Sequence, residues 1–224
     1  MTPTADLRKR RVFLVDDHPL VREWLTNLIN QQPDLTVCGE AESAPQALGA
    51  MGAAKPEVAI VDLSLKDSSG IELIKDLKQC HPDVAVLVLS MHDESHYAER
   101  ALRAGARGYI MKRETTRKVI GAIRQVLEGK LCISEAVAAA LAARFVEGKT
   151  PPPHSPIELL SDRELAVFEL LGQGRGTREI AETLRLSMKT VQAYSARIKD
   201  KLHLASATEL LREAIRWHER GRTG

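Results

Sequence analysis

Val58-Ala59-Ile60-Val61-Asp62 is a four-residue apolar run closed by a carboxylate. So short a run, with no polar alternation, reads as a strand buried on both faces. The pattern recurs near the N-terminus, where Val12-Phe13-Leu14-Val15 is closed by Asp16-Asp17. A third run, residues 84–89, ends at Ser90, and Gly108–Met111 ends at Lys112. With residues 35–38 these make five strand-like segments, each bounded by Pro, Gly or Asp.

Helical periods lie between them. Val21, Trp24, Leu25, Leu28 and Ile29 recur at i, i+3, i+4, i+7 and i+8, and Val119, Ile120, Ile123, Val126 and Leu127 do so after the fifth strand. Alternating strands and helices predict a doubly wound α/β domain, because parallel strands need crossover connections. In such a sheet the side chains at the carboxyl ends of the strands converge on one crevice. Asp16, Asp17, Asp62, Ser90 and Lys112 would meet there. Three carboxylates, a hydroxyl and an ammonium describe a site for a divalent metal and a phosphoryl group.

Composition is that of an ordinary globular chain, 224 residues with 44% hydrophobic and 28% charged. The net charge of +2 is too small to indicate nucleic acid by itself. Residues 1–133 hold equal numbers of acids and bases, and the surplus of bases falls after Ile157. Cys38, Cys80 and Cys132 are dispersed without metal-ligand spacing, which suits a reducing, cytoplasmic compartment. The basic run Arg8-Lys9-Arg10-Arg11 is followed by only four apolar residues, too few for a signal peptide, and no segment is long enough for a membrane helix.

A helix is expected over residues 134–145, with Ser134 as its N-cap. Four prolines between Pro151 and Pro156 then exclude helix and strand and predict a semi-stiff linker. Beyond it every pattern is helical. Ser161-Asp162-Arg163-Glu164 is a capping box opening a helix with Leu165, Phe168 and Leu171. Gly172, Gly174 and Gly176 end it, and Thr177 is read as the cap of a short helix carrying Ile180, Ala181 and Leu184. Ser187 caps a third helix, and Ser206-Ala207-Thr208-Glu209 is a capping box for a fourth. Two helices joined by a tight turn and braced by two others make a helix-turn-helix plan.

The chain therefore resembles a two-component response regulator of the NarL/FixJ subfamily, a receiver domain with a LuxR-type output domain. The resemblance rests on Leu14-Val15-Asp16-Asp17-His18, Asp62-Leu63-Ser64-Leu65, Leu89-Ser90, the run from Gly105 to Lys112, Leu160-Ser161-Asp162-Arg163-Glu164 and Glu179-Ile180-Ala181. It implies a flavodoxin-like five-stranded receiver domain over residues 1–132, a linker helix and proline-rich linker over 133–156, and a four-helix DNA-binding domain over 157–224.

The same resemblance assigns roles. Asp62 is the phosphoacceptor, taking its phosphoryl group from a sensor histidine kinase. Asp17, Asp62 and the Ser64 carbonyl match the ligands of Mg²⁺, with Asp16 acting through a water; hard oxygen ligands suit that ion. Lys112 pairs with the phosphoryl oxygens and Ser90 donates a hydrogen bond to one. Phosphorylation adds ~ −1.5 to −2 charge, drawing Ser90 toward it and letting Tyr109 rotate inward. Lys66 stands where the family very often has proline.

In the third helix of the output domain, Val191, Ser195, Ile198 and Leu202 should pack inward. Lys189, Gln192, Ala193 and Ala196 face the groove of promoter DNA. Gln192 suits adenine, and Ala193 or Ala196 a thymine methyl. Lys189, Thr190, Arg197 and Lys201 suit backbone phosphates. Many family members have Lys where Gln192 stands and His where Tyr194 stands. In the last helix, Leu211, Ile215 and Trp217 are candidates for dimerisation, with packing of Trp217 on its own core as the competing reading. The expected partners are a histidine kinase, double-stranded promoter DNA and a second copy of the chain; RNA polymerase is a further candidate.

A rival reading is an aspartate-nucleophile phosphatase of the haloacid-dehalogenase type. That chemistry puts the nucleophile at the end of the first strand with a second Asp two positions on, and here Pro19 holds that place relative to Asp17. The enzyme reading is rejected. A DNA-binding regulator that works without phosphorylation stays open as the alternative.

Overall fold

The computed structural model describes residues 8–65, 69–146, 156–184 and 186–220. Lys66 and residues 147–155, which hold most of the expected proline-rich stretch, lie outside them. The chain divides into two compact units, Met1–Glu147 and Gly148–Gly224.

The first unit contains strands β1 (Arg10–Val15), β2 (Leu35–Ala41), β3 (Val58–Val61), β4 (Ala85–Ser90) and β5 (Gly108–Met111). They form one all-parallel sheet in the order β2-β1-β3-β4-β5. Helices α1 (Pro19–Asn30), α2 (Ala44–Ala54), α3 (Gly70–Cys80) and α4 (Glu94–Ala104) provide the four crossovers, and α5 (Thr116–Leu127) follows the last strand. Val12, Leu14, Val58, Ile60, Leu87 and Leu89 are buried in one cluster with Leu25 and Ile29 of α1 and Val119, Ile120 and Ile123 of α5. Their alternate neighbours Phe13, Val15, Ala59, Val61, Val86 and Val88 are buried as well. Burial on both faces explains why the strands read as unbroken apolar runs.

The chain order reverses between β1 and β3, the switch point where such sheets open a crevice. Val15 pairs with Val61 there, and the Asp62 amide donates to the Val15 carbonyl at 2.8 Å. Asp16 and Asp62 therefore leave the sheet side by side. Gly70 begins α3 directly over this point. A β-carbon on it would lie 2.5 Å from the Leu63 Cα and collide with the Asp62 carbonyl, so the loop after Asp62 closes only with glycine.

At the other edge, residues after α5 return to the sheet. Cys132 forms a single parallel bridge with Gly108: the Tyr109 amide donates to the Cys132 carbonyl at 2.8 Å, and the Cys132 amide to the Arg107 carbonyl at 2.9 Å. Helix α6 (Glu135–Val146) follows, with the Ser134 hydroxyl accepting from the Val137 amide at 3.2 Å.

The second unit holds a 3-10 turn (Pro156–Leu159) and helices α7 (Asp162–Gly172), α8 (Thr177–Thr183), α9 (Met188–Lys201) and α10 (Ala207–Arg220). Leu160, Leu165, Phe168, Ile180, Val191, Ile198, Leu210 and Ala214 are among its buried apolar residues. The Ser161 capping box forms in full, whereas at Ser206 the hydroxyl caps the helix but the Glu209 carboxylate accepts from the Ala205 amide at 2.7 Å and not from that of Ser206. Glu164 accepts from the Ser161 amide at 2.7 Å, while the Glu209 amide donates to Ser206 Oγ at 3.1 Å. The cap of α8 is Gly176 and not Thr177, which is the first helical residue; the Gly176 amide donates to Glu179 at 2.8 Å. Among the described residues, no helix is long and apolar enough to cross a membrane.

Candidate functional site

Asp16, Asp17 and Asp62 are all buried at the ends of β1 and β3. Lys112, one residue past β5, reaches across to them: its ammonium lies 2.6 Å from Asp16 Oδ2 and 2.8 Å from Asp62 Oδ2. The Lys112 amide donates to the Ser90 carbonyl at 2.8 Å, which ties the ends of β4 and β5 together beside the carboxylates. Five residues spread over nearly a hundred positions thus meet in one pocket.

Electrostatics follow from the burial. Desolvation pushes the Asp62 carboxyl above its ordinary range, and the Asp16 charge adds to this; Lys112 opposes both. For Lys112, burial alone would favour the neutral amine. The two carboxylates outweigh it and hold the ammonium charged, with its pKa raised. Three carboxylates against one ammonium leave the pocket negative. Asp62 Oδ1 is buried and accepts no hydrogen bond from the described residues. A buried acceptor without a donor calls for a partner, and a hard divalent cation matches this oxygen-rich set.

His18 joins the cluster, although the sequence reading gave it no role. Its Nδ1 lies 2.7 Å from Asp17 Oδ1 and 3.2 Å from Asp16 Oδ1, and its amide donates to Asp16 Oδ1 at 2.9 Å. One ligand atom from each of Asp16, Asp17, His18 and Asp62 falls within 4.8 Å of the others. The only signal in sequence was adjacency to the acidic pair, which says nothing of ring direction.

Ser90 and Tyr109 are both buried. The Ser90 hydroxyl oxygen accepts from the His92 amide at 3.2 Å, and the Tyr109 hydroxyl donates to the His92 carbonyl at 2.9 Å. Tyr109 therefore already stands inside. Its ring is buried and its hydroxyl is held by the backbone in this structure. Ser64 sits two residues past Asp62, with its hydroxyl 2.8 Å from His92 Nε2.

In the second unit, α9 buries Val191 and Ile198 and half-buries Ser195, as its spacing predicts. Lys189, Gln192, Ala193, Ala196 and Arg197 are exposed together. Thr190 is half-buried, its hydroxyl 2.7 Å from that of Ser187 in the helix cap. The Arg197 guanidinium lies over the Tyr194 ring, 5.8 Å from its centroid. Met188, at the start of α9, is 55% exposed although apolar.

One expected contact is corrected and one open choice is narrowed. Lys201 does not offer a free ammonium to phosphates: it donates to Glu164 Oε2 at 2.6 Å and to the Leu159 carbonyl at 3.1 Å. Glu164 is buried, and a buried carboxylate takes the nearest cation. Trp217 packs on its own core, the competing reading, with its ring 5.6 Å from that of the buried Phe168, and it stays half-buried. Leu211 and Ile215 remain outside, 40% and 36% exposed.

Comparison with known proteins places both halves. Residues 12–124 match the response regulator receiver domain, and residues 158–214 match the bacterial regulatory proteins of the luxR family. The chain is a two-component response regulator of the NarL family. The regulator is 34% identical to the oxygen regulatory protein NreC of Staphylococcus carnosus over 210 residues, 92% of this chain and 97% of that one. It is 36% identical to the DNA-binding transcriptional activator DevR/DosR of Mycobacterium tuberculosis over 199 residues, 89% and 91% of the two chains. Among solved structures it is similar to Salmonella RcsB bound to promoter rprA in the presence of a phosphomimetic, with 25% identity, a TM-score of 0.58, and 92% and 98% of the chains covered. RcsB has also been seen as two dimers on two parallel DNAs.

These matches make the regulator a DNA-binding transcriptional regulator and not an enzyme. Its receiver domain implies a histidine kinase as partner. Receiver domains bind Mg²⁺ at an acidic pocket, and the regulator has such a cluster.

Proposed function

We propose that the regulator is switched by transfer of a phosphoryl group from a sensor histidine kinase to Asp62, and that the phosphorylated form binds promoter DNA to control transcription. One observation carries the reading: Asp62 has one oxygen on the Lys112 ammonium, and its other oxygen is buried without a side-chain or main-chain partner assigned among the described residues. That is a carboxylate held for reaction and not a solvated strand end.

An Asp62 oxygen attacks the phosphorus, and the bond from phosphorus to the kinase histidine nitrogen breaks, leaving the electron pair on the imidazole. Asp16, Asp17, Asp62 and the Ser64 carbonyl would hold Mg²⁺, which neutralises charge on the incoming group. Lys112 takes a phosphoryl oxygen as a point charge. The Ser90 hydroxyl, whose oxygen already accepts from His92, has its proton left to donate to another. Glu164 and Lys201 shape the output domain; α9 enters the major groove, where Gln192, Ala193 and Ala196 meet base edges and Lys189, Arg197 and the Thr190 end of the helix meet phosphates. Leu211 and Ile215 give a second copy an apolar contact, as expected for a protein that reads paired half-sites. The site of action is the cytoplasm, where promoter DNA and RNA polymerase are met.

The test is intact mass after incubation with acetyl phosphate and Mg²⁺. Wild type should gain one phosphoryl group and Asp62→Asn none. DNA affinity should then rise in the phosphorylated sample. Tight binding independent of phosphate would instead favour the phosphorylation-independent reading.

A further inference from the structure

Three of His92's groups are committed to three different parts of the reaction site. Its ring nitrogen Nε2 lies 2.8 Å from the Ser64 hydroxyl, on the loop that follows Asp62. Its amide donates to the Ser90 hydroxyl oxygen, and its carbonyl accepts from Tyr109. The ring has no freedom to swing away, because it stacks on the buried Tyr97 at 4.4 Å between centroids and 28° between planes. Tyr97 belongs to α4, so the ring is clamped between that helix and the loop after β3.

Phosphoryl transfer needs both flanking loops in register. The loop after β3 carries Ser64, and the one after β4 carries Ser90. Each is an irregular segment that must otherwise be ordered when the phosphoryl donor arrives, and ordering at that moment slows the reaction. A side chain that joins the loops beforehand removes that penalty.

We propose that His92 is a positioning residue for phosphoryl transfer to Asp62. Its imidazole bridges to the Ser64 hydroxyl and holds the Asp62 and Ser90 loops in their reacting arrangement before the donor binds. The assignment rests on the reading of Asp62 as phosphoacceptor and adds a residue to it. His92 touches no phosphoryl oxygen in this scheme; it acts through Ser64 and Ser90.

The test follows the initial rate of phosphorylation by acetyl phosphate with Mg²⁺, by intact mass, across a range of acetyl phosphate concentrations. The proteins are wild type, Asp62→Asn, His92→Phe, His92→Gln, Ser64→Ala and the double variant His92→Phe/Ser64→Ala. Phenylalanine keeps the stack on Tyr97 but loses the bridge. Glutamine keeps an amide within reach of Ser64. His92→Phe and Ser64→Ala should each lower the maximal rate about two- to tenfold, the net worth of one hydrogen bond. The double variant should be no slower than either single one, because both remove the same bond. His92→Gln should recover much of the rate, and the half-saturating donor concentration should move less than the maximal rate.

Unchanged or faster phosphorylation in both single variants overturns the proposal, and so does a double variant that multiplies the two losses. If His92→Phe melts far below wild type, Ser64→Ala decides the matter alone, since it leaves the stack intact. Failure of wild type to gain any adduct would instead strike the Asp62 reading itself.

Discussion

Lys112 and Asp62 meet at 2.8 Å although fifty residues separate them in sequence. The pair is held by the ends of β3 and β5, which flank β4, and not by local turns, and both side chains are shielded from water. Lys112 is thus the counterion that makes a pocket of three carboxylates tolerable. Lys112→Met should destabilise the receiver unit by about 3 kcal/mol, since it strands buried charge. Mg²⁺ should then raise the melting temperature of the variant more than that of wild type. Equal Mg²⁺ shifts in thermal melts would count against a cation site here.

Asp62→Asn should have the opposite effect on stability. Because folding raises this carboxyl above its ordinary 3.8, ionised Asp62 works against the fold. Its favourable contribution is present in acid and is lost as pH rises through the folded value. At neutral pH the Asn variant should therefore be more stable, by about 0.5–2 kcal/mol. The advantage should fade as pH falls toward 3.8 and below. Chemical denaturation of both proteins across that range measures it, and a variant less stable than wild type at neutral pH would contradict the electrostatics.

Glu164 carries the reverse sign in the output domain. Burial alone would raise its carboxyl, but hydrogen bonds from Lys201 and Ser161 more than reverse this, and the group sits below its ordinary 4.5. Its stability is complete above 4.5 and is lost as pH falls through the lower folded value. Lys201 is 38% exposed, so the usual buried-pair penalty is discounted for screening, and Lys201→Met should cost about 1–2 kcal/mol. Urea melts of the two proteins should converge in acid.

On DNA, Lys189→Ala with Arg197→Ala should weaken binding to all sequences and reduce the salt dependence by about two phosphate contacts. Gln192→Ala should instead relax discrimination at one base pair, by about 1–3 kcal/mol. Titrations at several salt concentrations on matched and mutated operators separate the two. Unchanged affinity in the double variant would remove α9 from the groove.

Leu211→Asp with Ile215→Asp should abolish paired binding on DNA while leaving the domain folded. Trp217→Ala should lose about 2–3 kcal/mol of stability through the missing contact with Phe168. Native mass spectrometry of DNA complexes and thermal melts distinguish these outcomes. A folded, dimer-deficient Trp217→Ala would restore the dimerisation role assigned from sequence.

Much of this architecture was legible in the chain itself. Five apolar runs and their intervening periods specify parallel strands and crossover helices, and the residues closing four of those runs are the ones that meet in the pocket. Caps at Ser161, Ser187 and Ser206 were readable because capping is a contact between near neighbours. Lys201 was misread, and Trp217 was left between two readings, for the converse reason: each looks free on its own helix, and its partner, Glu164 or Phe168, comes from another.

What sequence alone determined, then, is which elements form and which chemical groups sit at their ends, since periodicity and capping act over a few residues. Tertiary structure alone decided where rings and long side chains point. Tyr109 stands inward, His18 turns onto Asp17, and His92 ties Ser64 to the switch. These choices depend on hydrogen-bond partners and packing across dozens of residues, and no local pattern encodes such distances.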